Sequence, residues 1–288
     1  MTDTLYADVS EWQAPVNDSY PHRVLCIRSN DGTYRDRNWW QNLNWCEAAC
    51  DSGRLEFFIV YFVWRPNWQE TVDALKANVG VPHSRMAVMI DVESWGGQIS
   101  GDQSDGINKA YWAIADWLGD KRRVIGYGNT YDLNTLWRTK PDGIRLVVAG
   151  YGQQPDYPGM VAHQYTDGQG YGGGLPEGAP PFGNCDMNAA NGLDPAGFAA
   201  ACGIGTTSSP TPGGPLMALS DAEQRELLDK TRAIHAALCA PRPSLIKPTD
   251  GAPPAQFDLP TFVQCADAAT YRTERTVAEI AKKLGVTA

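Results

Sequence analysis

Over roughly the first 205 residues, short blocks of apolar, β-branched and aromatic side chains alternate with longer stretches of mixed polarity. The dense blocks fall at residues 5–9, 23–28, 57–63, 86–92, 123–127, 145–149, 160–165 and 183–187. Runs of this length and composition, bounded by Gly, Pro, Asn and Asp, read as strands. Stretches with helical spacing lie between the early blocks, around residues 39–50, 69–79, 103–118 and 131–137. Strands alternating with helices argue for βα units on a parallel sheet, and eight of them suggest closure into a barrel. The rhythm changes after the sixth block. Residues 150–159 are too few, and too rich in Gly, Pro and Gln, for a crossover helix. The last three strands are therefore expected to be joined by loops and to be partly antiparallel. The pattern reads as an α/β protein, an irregular (β/α)5β3 TIM-like barrel.

A different pattern follows. Residues 206–216 consist of Thr, Ser, Pro and Gly up to Leu216, with nothing before it to bury, and read as a linker. The linker separates a barrel domain, residues 1–205, from a segment over residues 217–288. In that segment Ser220 and Glu223 form a capping box opening a helix to about Leu238. Leu227, Thr231, Ile234 and Leu238 share one face of it. Pro260 can open a second helix that stops at Gly285, with Val263, Ala266, Thr270, Thr273, Val277, Ile280 and Leu284 along its seam. A small all-α C-terminal segment is thus expected. So thin a core leaves two readings open, a hairpin packed on itself or a surface for docking or oligomerisation.

Charge and composition sharpen this division. The net charge of −9 lies wholly before Leu216, where acids number 24 and bases 15; nine of each follow it. All ten Trp lie between Trp12 and Trp137. With 43% hydrophobic residues the chain can bury a core, and with no basic stripe it is not a nucleic-acid binder. No run approaches the roughly 18 apolar residues of a membrane helix. Met1-Thr2-Asp3-Thr4-Leu5 lacks the basic start of a signal peptide, so synthesis in a cytoplasm is expected. Seven Cys leave at least one thiol unpaired within the chain, which suits a reducing compartment.

The candidate chemistry sits at the ends of the strands, where barrels of this kind carry their sites. Asp8 ends the first strand, Asp91-Val92-Glu93 the fourth, and Asp186 lies on the eighth; Tyr61 and Tyr127 lie on the third and fifth. Asp91 and Glu93 are two apart and face one side. Two carboxylates in one barrel mouth repel, which raises at least one pKa. A protonated acid beside an ionised one is what glycosidic cleavage requires. Glu11 is read as a solvent-facing loop residue. Trp12, Trp64, Trp68 and Trp95 follow strand ends, as sugar platforms or as core. Other chemistries are weaker. The four His show no zinc spacing, no Gly-x-Ser-x-Gly elbow occurs, and the 170–174 glycines precede no helix. Cys46 and Cys50, with His22 and Cys26, fit a metal or, more simply, packed thiols. Cys185 is read as packing. No metal and no cofactor are expected.

At this point the residues resemble a known family. Asp-Val-Ser-x-Trp-Gln from Asp8, Tyr61-Phe62, Asp91-Val92-Glu93, Tyr127, His163-Gln164-Tyr165-Thr166 and Asp186-Met187-Asn188 are similar to the motifs of glycoside hydrolase family 25 lysozymes. The resemblance spans about residues 5 to 203. It implies an irregular βα barrel and cleavage of the β-1,4 bond after N-acetylmuramic acid in peptidoglycan. It also implies that Glu93 donates the proton and that Asp91 orients the substrate's own acetamido group. Asp8 and Asp186 are implied as the remaining groove acids. Tyr61, Tyr127, His163, Gln164, Tyr165, Trp12, Trp64 and Trp95 are the implied substrate-binding set. The family usually has Trp where this chain has His163, which predicts altered sugar stacking.

The segment over 219–238 is also similar to stretches in lysins and minor tail proteins of actinobacterial phages. The expectation is a muramidase carried on a phage tail, made in the host cytoplasm and acting on the wall. Its expected partners are a glycan strand and tail proteins or a second copy. A non-cutting glycan-binding tail protein and a free endolysin are the alternatives. Peptidoglycan is itself largely anionic, so the acidic barrel needs other means of targeting, and the neutral C-terminal helices are the candidate.

Overall fold

The computed structural model describes residues 3–205, together with 230, 242, 243, 256, 257, 273 and 276. The chain divides into two compact units, Met1–Thr207 and Ser208–Ala288. In the first, β1 (Leu5–Val9) leads to β2 (Val24–Asp31) and its short hairpin partner β3 (Tyr34–Arg35). Then come α1 (Trp39–Asp51), β4 (Phe57–Val63), α2 (Trp68–Val79), β5 (Met86–Asp91), α3 (Ser104–Leu118), β6 (Val124–Asn129), α4 (Thr130–Thr135) and β7 (Arg145–Ala149). Last are β8 (Met160–Thr166), the hairpin strands β9 (Gly178–Ala179) and β10 (Gly183–Asn184), β11 (Asp186–Ala189) and α5 (Pro195–Ala201).

Eight of these strands close a barrel in the order β1-β11-β8-β7-β6-β5-β4-β2, and β2 returns to β1. The closing pair is parallel, Asp8 opposite Cys26 and Val9 opposite Ile27. All other neighbours are parallel except β11, which runs antiparallel to both β8 and β1. The last strands are joined by loops, and the single reversal is β11. Two features depart from the sequence reading. The first crossover, residues 10–23, is a loop interrupted by Pro15 and Pro21, so the helical crossovers are α1 to α4. The final barrel strand begins at Asp186, because Gly183 adopts φ 73° and pairs instead with Ala179.

Alternation along each strand sorts the side chains between two cores. Tyr6, Val24, Cys26, Phe57, Ile59, Tyr61, Met89, Ile125 and Tyr127 fill the barrel. Ala7, Val9, Leu25, Ile27, Phe58, Val60, Phe62, Val88 and Ile90 face the helices. The helices supply Trp39, Leu43, Leu75, Ile107, Ile114 and Leu133 to that outer layer. One end of the barrel is closed by α5, an element the sequence reading missed. Asp194 caps it by accepting from the Gly197 N–H at 2.7 Å, and Pro195 starts it. Its Phe198 ring lies 5.4 Å from Tyr6 and 5.1 Å from Phe57 between centroids. The inner face is thus apolar and plugged at one end, leaving the other for polar groups.

Of the C-terminal unit, Lys230, Thr273 and Thr276 are helical, within the stretches expected to be helices. Arg242–Pro243 pairs antiparallel with Gln256–Phe257, a contact that an all-α reading did not anticipate. The rest of the expected linker and helices lies outside the described residues.

Packing at Gly126 gives a test of the barrel wall. A Cβ there would lie 2.5 Å from Trp137 Cζ3 and 2.9 Å from Leu146 Cδ2, both fully buried. Gly126→Val is expected to destabilise the barrel by about 1–3 kcal/mol, because neither neighbour has room to move. Thermal melting reads this, and an unchanged midpoint would contradict the packing described.

Candidate active site

The open end of the barrel collects the polar residues that alternation turns inward. Asp8 and Asp186 face each other across the β1–β11 register. Asp91 ends β5, and Glu93, two residues on, points to the same side. These four acids line a cavity of about 260 Å³ with Tyr61, Tyr127, Tyr151, Trp12, Trp95, Gln164 and Arg28. A second hollow of about 330 Å³ shares Glu93, Tyr127 and Tyr151 and extends the first into a groove.

Asp8 is the hub. Its Oδ2 accepts from Gln164 Nε2 and Asn188 Nδ2, each at 2.8 Å. Gln164 is itself oriented by two phenols. Tyr127 donates to its Oε1 at 2.7 Å and Tyr151 at 3.0 Å. The amide nitrogen is thereby left to face the carboxylate. Burial raises the pKa of Asp8, while hydrogen bonds from Asn188, Gln164 and Asp186 pull it down. The net effect is upward, so Asp8 also holds a proton more tightly than a free carboxyl, with the hydrogen bonds limiting the rise. Burial, then repulsion from Asp8, Asp167 and Glu93, pushes Asp186 up to about 8. Burial first, then Glu93 and Asp8, holds Asp91 well above the usual carboxylate range, with Arg28 opposing. Glu93 is pushed up to about 7 by burial, then by Asp132 and Asp8, against Arg65. Together the acids retain protons that isolated carboxyls would lose near pH 4. Asp91 lines the groove, and its Oδ1 is buried without a hydrogen-bond partner.

Arg28, absent from the sequence reading, supplies the balancing charge. Its Nε donates to Asp36 Oδ2 at 2.9 Å, and it lies 3.8 Å from Glu11 Oε1. Glu11 is corrected accordingly: its side chain is only 9% exposed. It accepts from Tyr34 Oη at 2.9 Å and Arg37 Nε at 3.1 Å, because the β2–β3 hairpin folds over it. Tyr151 and Arg28 carried no motif; Arg28 was legible only as an inward position on β2.

The structure brings Asp8, Asp91, Glu93, Asp186, Tyr61, Tyr127, Gln164, Trp12 and Trp95 together, and it does not bring the other three. Trp64 is 2% exposed and belongs to the outer core. His163 and Tyr165 flank the inward Gln164, so both face outward. His163 is buried, tilted against Tyr165 with ring centroids 6.1 Å apart, and burial lowers its pKa. Tyr165 donates to Pro176 O at 2.7 Å. The expectation that Trp64, His163 and Tyr165 contact substrate is corrected, and with it the predicted loss of sugar stacking at His163. Trp95 is held in place. It adopts φ 47°, and Arg65 lies 5.2 Å from its ring while gripped by Asp31 at 2.6 and 2.8 Å. Cys26, Cys46, Cys50, Cys185 and Cys202 are free and buried, and burial pushes Cys185 up to about 12. Among the described residues no group of three or more His, Cys, Asp or Glu is placed to hold a metal ion.

Over 244 residues the chain is 57% identical to uncharacterized protein Rv3766 of Mycobacterium tuberculosis (strain ATCC 25618 / H37Rv), covering 84% of this chain and 87% of that protein. The chain belongs to the Rv3766 family. The match is longer than the barrel unit, so the family shares part of the C-terminal unit as well. No family model matches the sequence. Solved structures extend the likeness of the barrel. A family 25 glycosyl hydrolase from Bacillus anthracis is 12% identical and superposes with a TM-score of 0.51 over 66% of this chain and 90% of that one. The CTP1L endolysin is 18% identical, with a TM-score of 0.50 over 66% and 67% of the two chains. The autolysin LytC from Streptococcus pneumoniae, in complex with a synthetic peptidoglycan ligand, is 15% identical, with a TM-score of 0.50 over 65% and 46%. At these identities the likeness establishes the fold. The Rv3766 family thus has the barrel of the family 25 hydrolases.

The acid cluster makes stability depend on pH. Each acid is raised, so it favours the fold while protonated. That contribution is full below the unfolded value of about 4 and fades as pH climbs through about 7 to 8. Asp186→Asn keeps a donor towards Asp8 and removes one charge. It is expected to stabilise the protein by on the order of 1 kcal/mol near pH 8.5 and hardly at all near pH 4.5. Thermal melting at both pH values checks this, and an equal effect at both would contradict the cluster described.

Proposed function

We propose that the protein is a peptidoglycan hydrolase, a muramidase that cleaves the β-1,4 bond between N-acetylmuramic acid and N-acetylglucosamine. The observation that carries this is the coupled acid cluster in an aromatic-walled groove, with Glu93 pushed up to about 7. An acid with that pKa keeps its proton near pH 6 and can deliver it to a leaving sugar oxygen. The Asp91 carboxyl, which lines the groove, is suited to accept from the N–H of an acetamido group. Oriented in this way, the acetamido oxygen attacks the anomeric carbon while Glu93 protonates the departing oxygen. Asp8 accepts from two side-chain amides, and Asp186 adds a second site for a proton. Trp12, 75% exposed at the mouth, and Trp95 in the wall offer faces for sugar rings. The family 25 fold of the barrel supports this reading, as does the peptidoglycan ligand of LytC.

The non-cutting alternative drew on His163 and on the C-terminal helices. With His163 turned away from the groove, only the helices still favour it. In our reading the C-terminal unit carries an acidic enzyme to an anionic wall. A phage tail is the expected carrier; a free endolysin and a wall enzyme of a bacterium, such as the organism of the relative, are the other placements. Mass spectrometry of purified virions separates them, and absence from virions overturns the tail placement.

Purified protein incubated with peptidoglycan at about pH 5–7 is expected to release new reducing ends at muramic acid. Glu93→Gln should lower that rate by roughly 10²–10⁴-fold. Saccharide binding without any product, in both proteins, would establish the non-cutting alternative instead.

A further inference from the structure

The four acids do not explain how Glu93 is held. It lies beyond the end of β5, on a turn that includes Trp95 at φ 47°, an unusual backbone for a non-glycine residue. The next residue, Ser94, is pinned from two sides. Its carbonyl accepts from the Gly97 and Ile99 N–H groups, each at 3.0 Å. Its own N–H donates to Asp132 Oδ2 at 3.1 Å, and its hydroxyl lies 3.4 Å from the same oxygen.

Asp132 comes from α4, and its side chain is fixed before it meets Ser94. Asn129 caps α4, accepting from the Asp132 N–H at 2.8 Å and returning its amide N–H to Asp132 Oδ2 at 2.9 Å. The two strand ends can approach because Gly128 has no side chain: a Cβ there would lie 2.7 Å from Val92 O. Val92 N–H in turn donates to Tyr127 O at 2.9 Å. Asp132 is 3% exposed, and its other oxygen, Oδ1, is buried without a hydrogen-bond partner. A buried carboxylate that spends all its hydrogen bonds on one oxygen costs stability, and unpaired buried oxygens call for a reason.

We propose that Asp132 is a positioning residue for Glu93, clamping the turn that carries it and presenting a fixed negative charge beside it. The inference rests on the reading of Glu93 as the proton donor. Around Glu93 stand Asp91 on its own strand, Asp8 on β1, Asp186 on β11, Tyr127 on β6, Tyr151 after β7 and Arg65 after β4. Arg65 is the nearby cation, and Asp31 already engages it through two hydrogen bonds. Asp132 is foremost among the charges that oppose ionisation of Glu93, ahead of Asp8. Its charge therefore keeps the donor protonated, and its hydrogen bonds keep the donor aimed.

Asp132→Asn and Asp132→Ala separate these two roles. The amide oxygen of Asn can still accept from Ser94, so Asp132→Asn should keep its geometry and lose only the charge. The alkaline limb of its pH–rate profile for reducing-end release is expected to move down by roughly half a pH unit or more, with KM unchanged. Asp132→Ala also frees the turn and should lower kcat about tenfold or more. A superposable profile for active Asp132→Asn would overturn the inference. If the wild-type protein cuts nothing at any pH, the muramidase reading fails. The inference is then read by carboxyl NMR, where the Glu93 titration midpoint should still fall in Asp132→Asn and an unmoved midpoint overturns it. Should that variant not fold, the wild-type Ser94 amide decides: slow hydrogen exchange supports the clamp, and exchange as fast as an exposed loop refutes it.

Discussion

Four carboxylates converge on one mouth of a closed barrel, and the free-energy cost of holding them there shapes the residues around them. Like charges lining one cavity repel and cannot all be ionised. The protein answers with neutral donors. Gln164 and Asn188 both donate to Asp8, and two phenols fix the direction of Gln164. Arg28 provides positive charge but is itself engaged by Asp36, so it tempers the cluster without neutralising it. What remains is a site with protons to spare near neutrality. The apolar barrel floor, sealed by Phe198 of α5, keeps water from the other end.

Much of this was legible because a strand has period two. Asp8, Asp91, Glu93 and Asp186 each lie where alternation turns them inward, and the strand blocks closely match β1, β4 and β7. The same rule, applied strictly, would have turned His163 and Tyr165 outward once Gln164 was placed inside. The motif drew attention to all three residues as a unit, although one strand cannot point three neighbours the same way. Trp64 follows inward-facing Val63 and was misplaced for the same reason.

Other features could not be read because they depend on contacts distant in sequence. Glu11 looks exposed until the β2–β3 hairpin brings Tyr34 and Arg37 over it. Asp132 reads as an ordinary third residue of a helix, and only the closeness of β5 and β6 shows that it reaches Ser94. The helix α5 did carry a local signal, Asp194-Pro195 ahead of an Ala-rich run, too short to stand out from a loop. The division of charge points the same way as the structure. The acidic part of the chain, residues 1–215, is the part with the groove.

A crystal structure of Glu93→Gln with a muramic acid-containing oligosaccharide tests the central claim most directly. The account predicts a glycosidic oxygen beside the residue 93 carboxamide and an acetamido N–H donating to the Asp91 carboxyl, with a sugar ring on Trp95. A saccharide bound elsewhere on the barrel, with the acid cluster left empty, would contradict it.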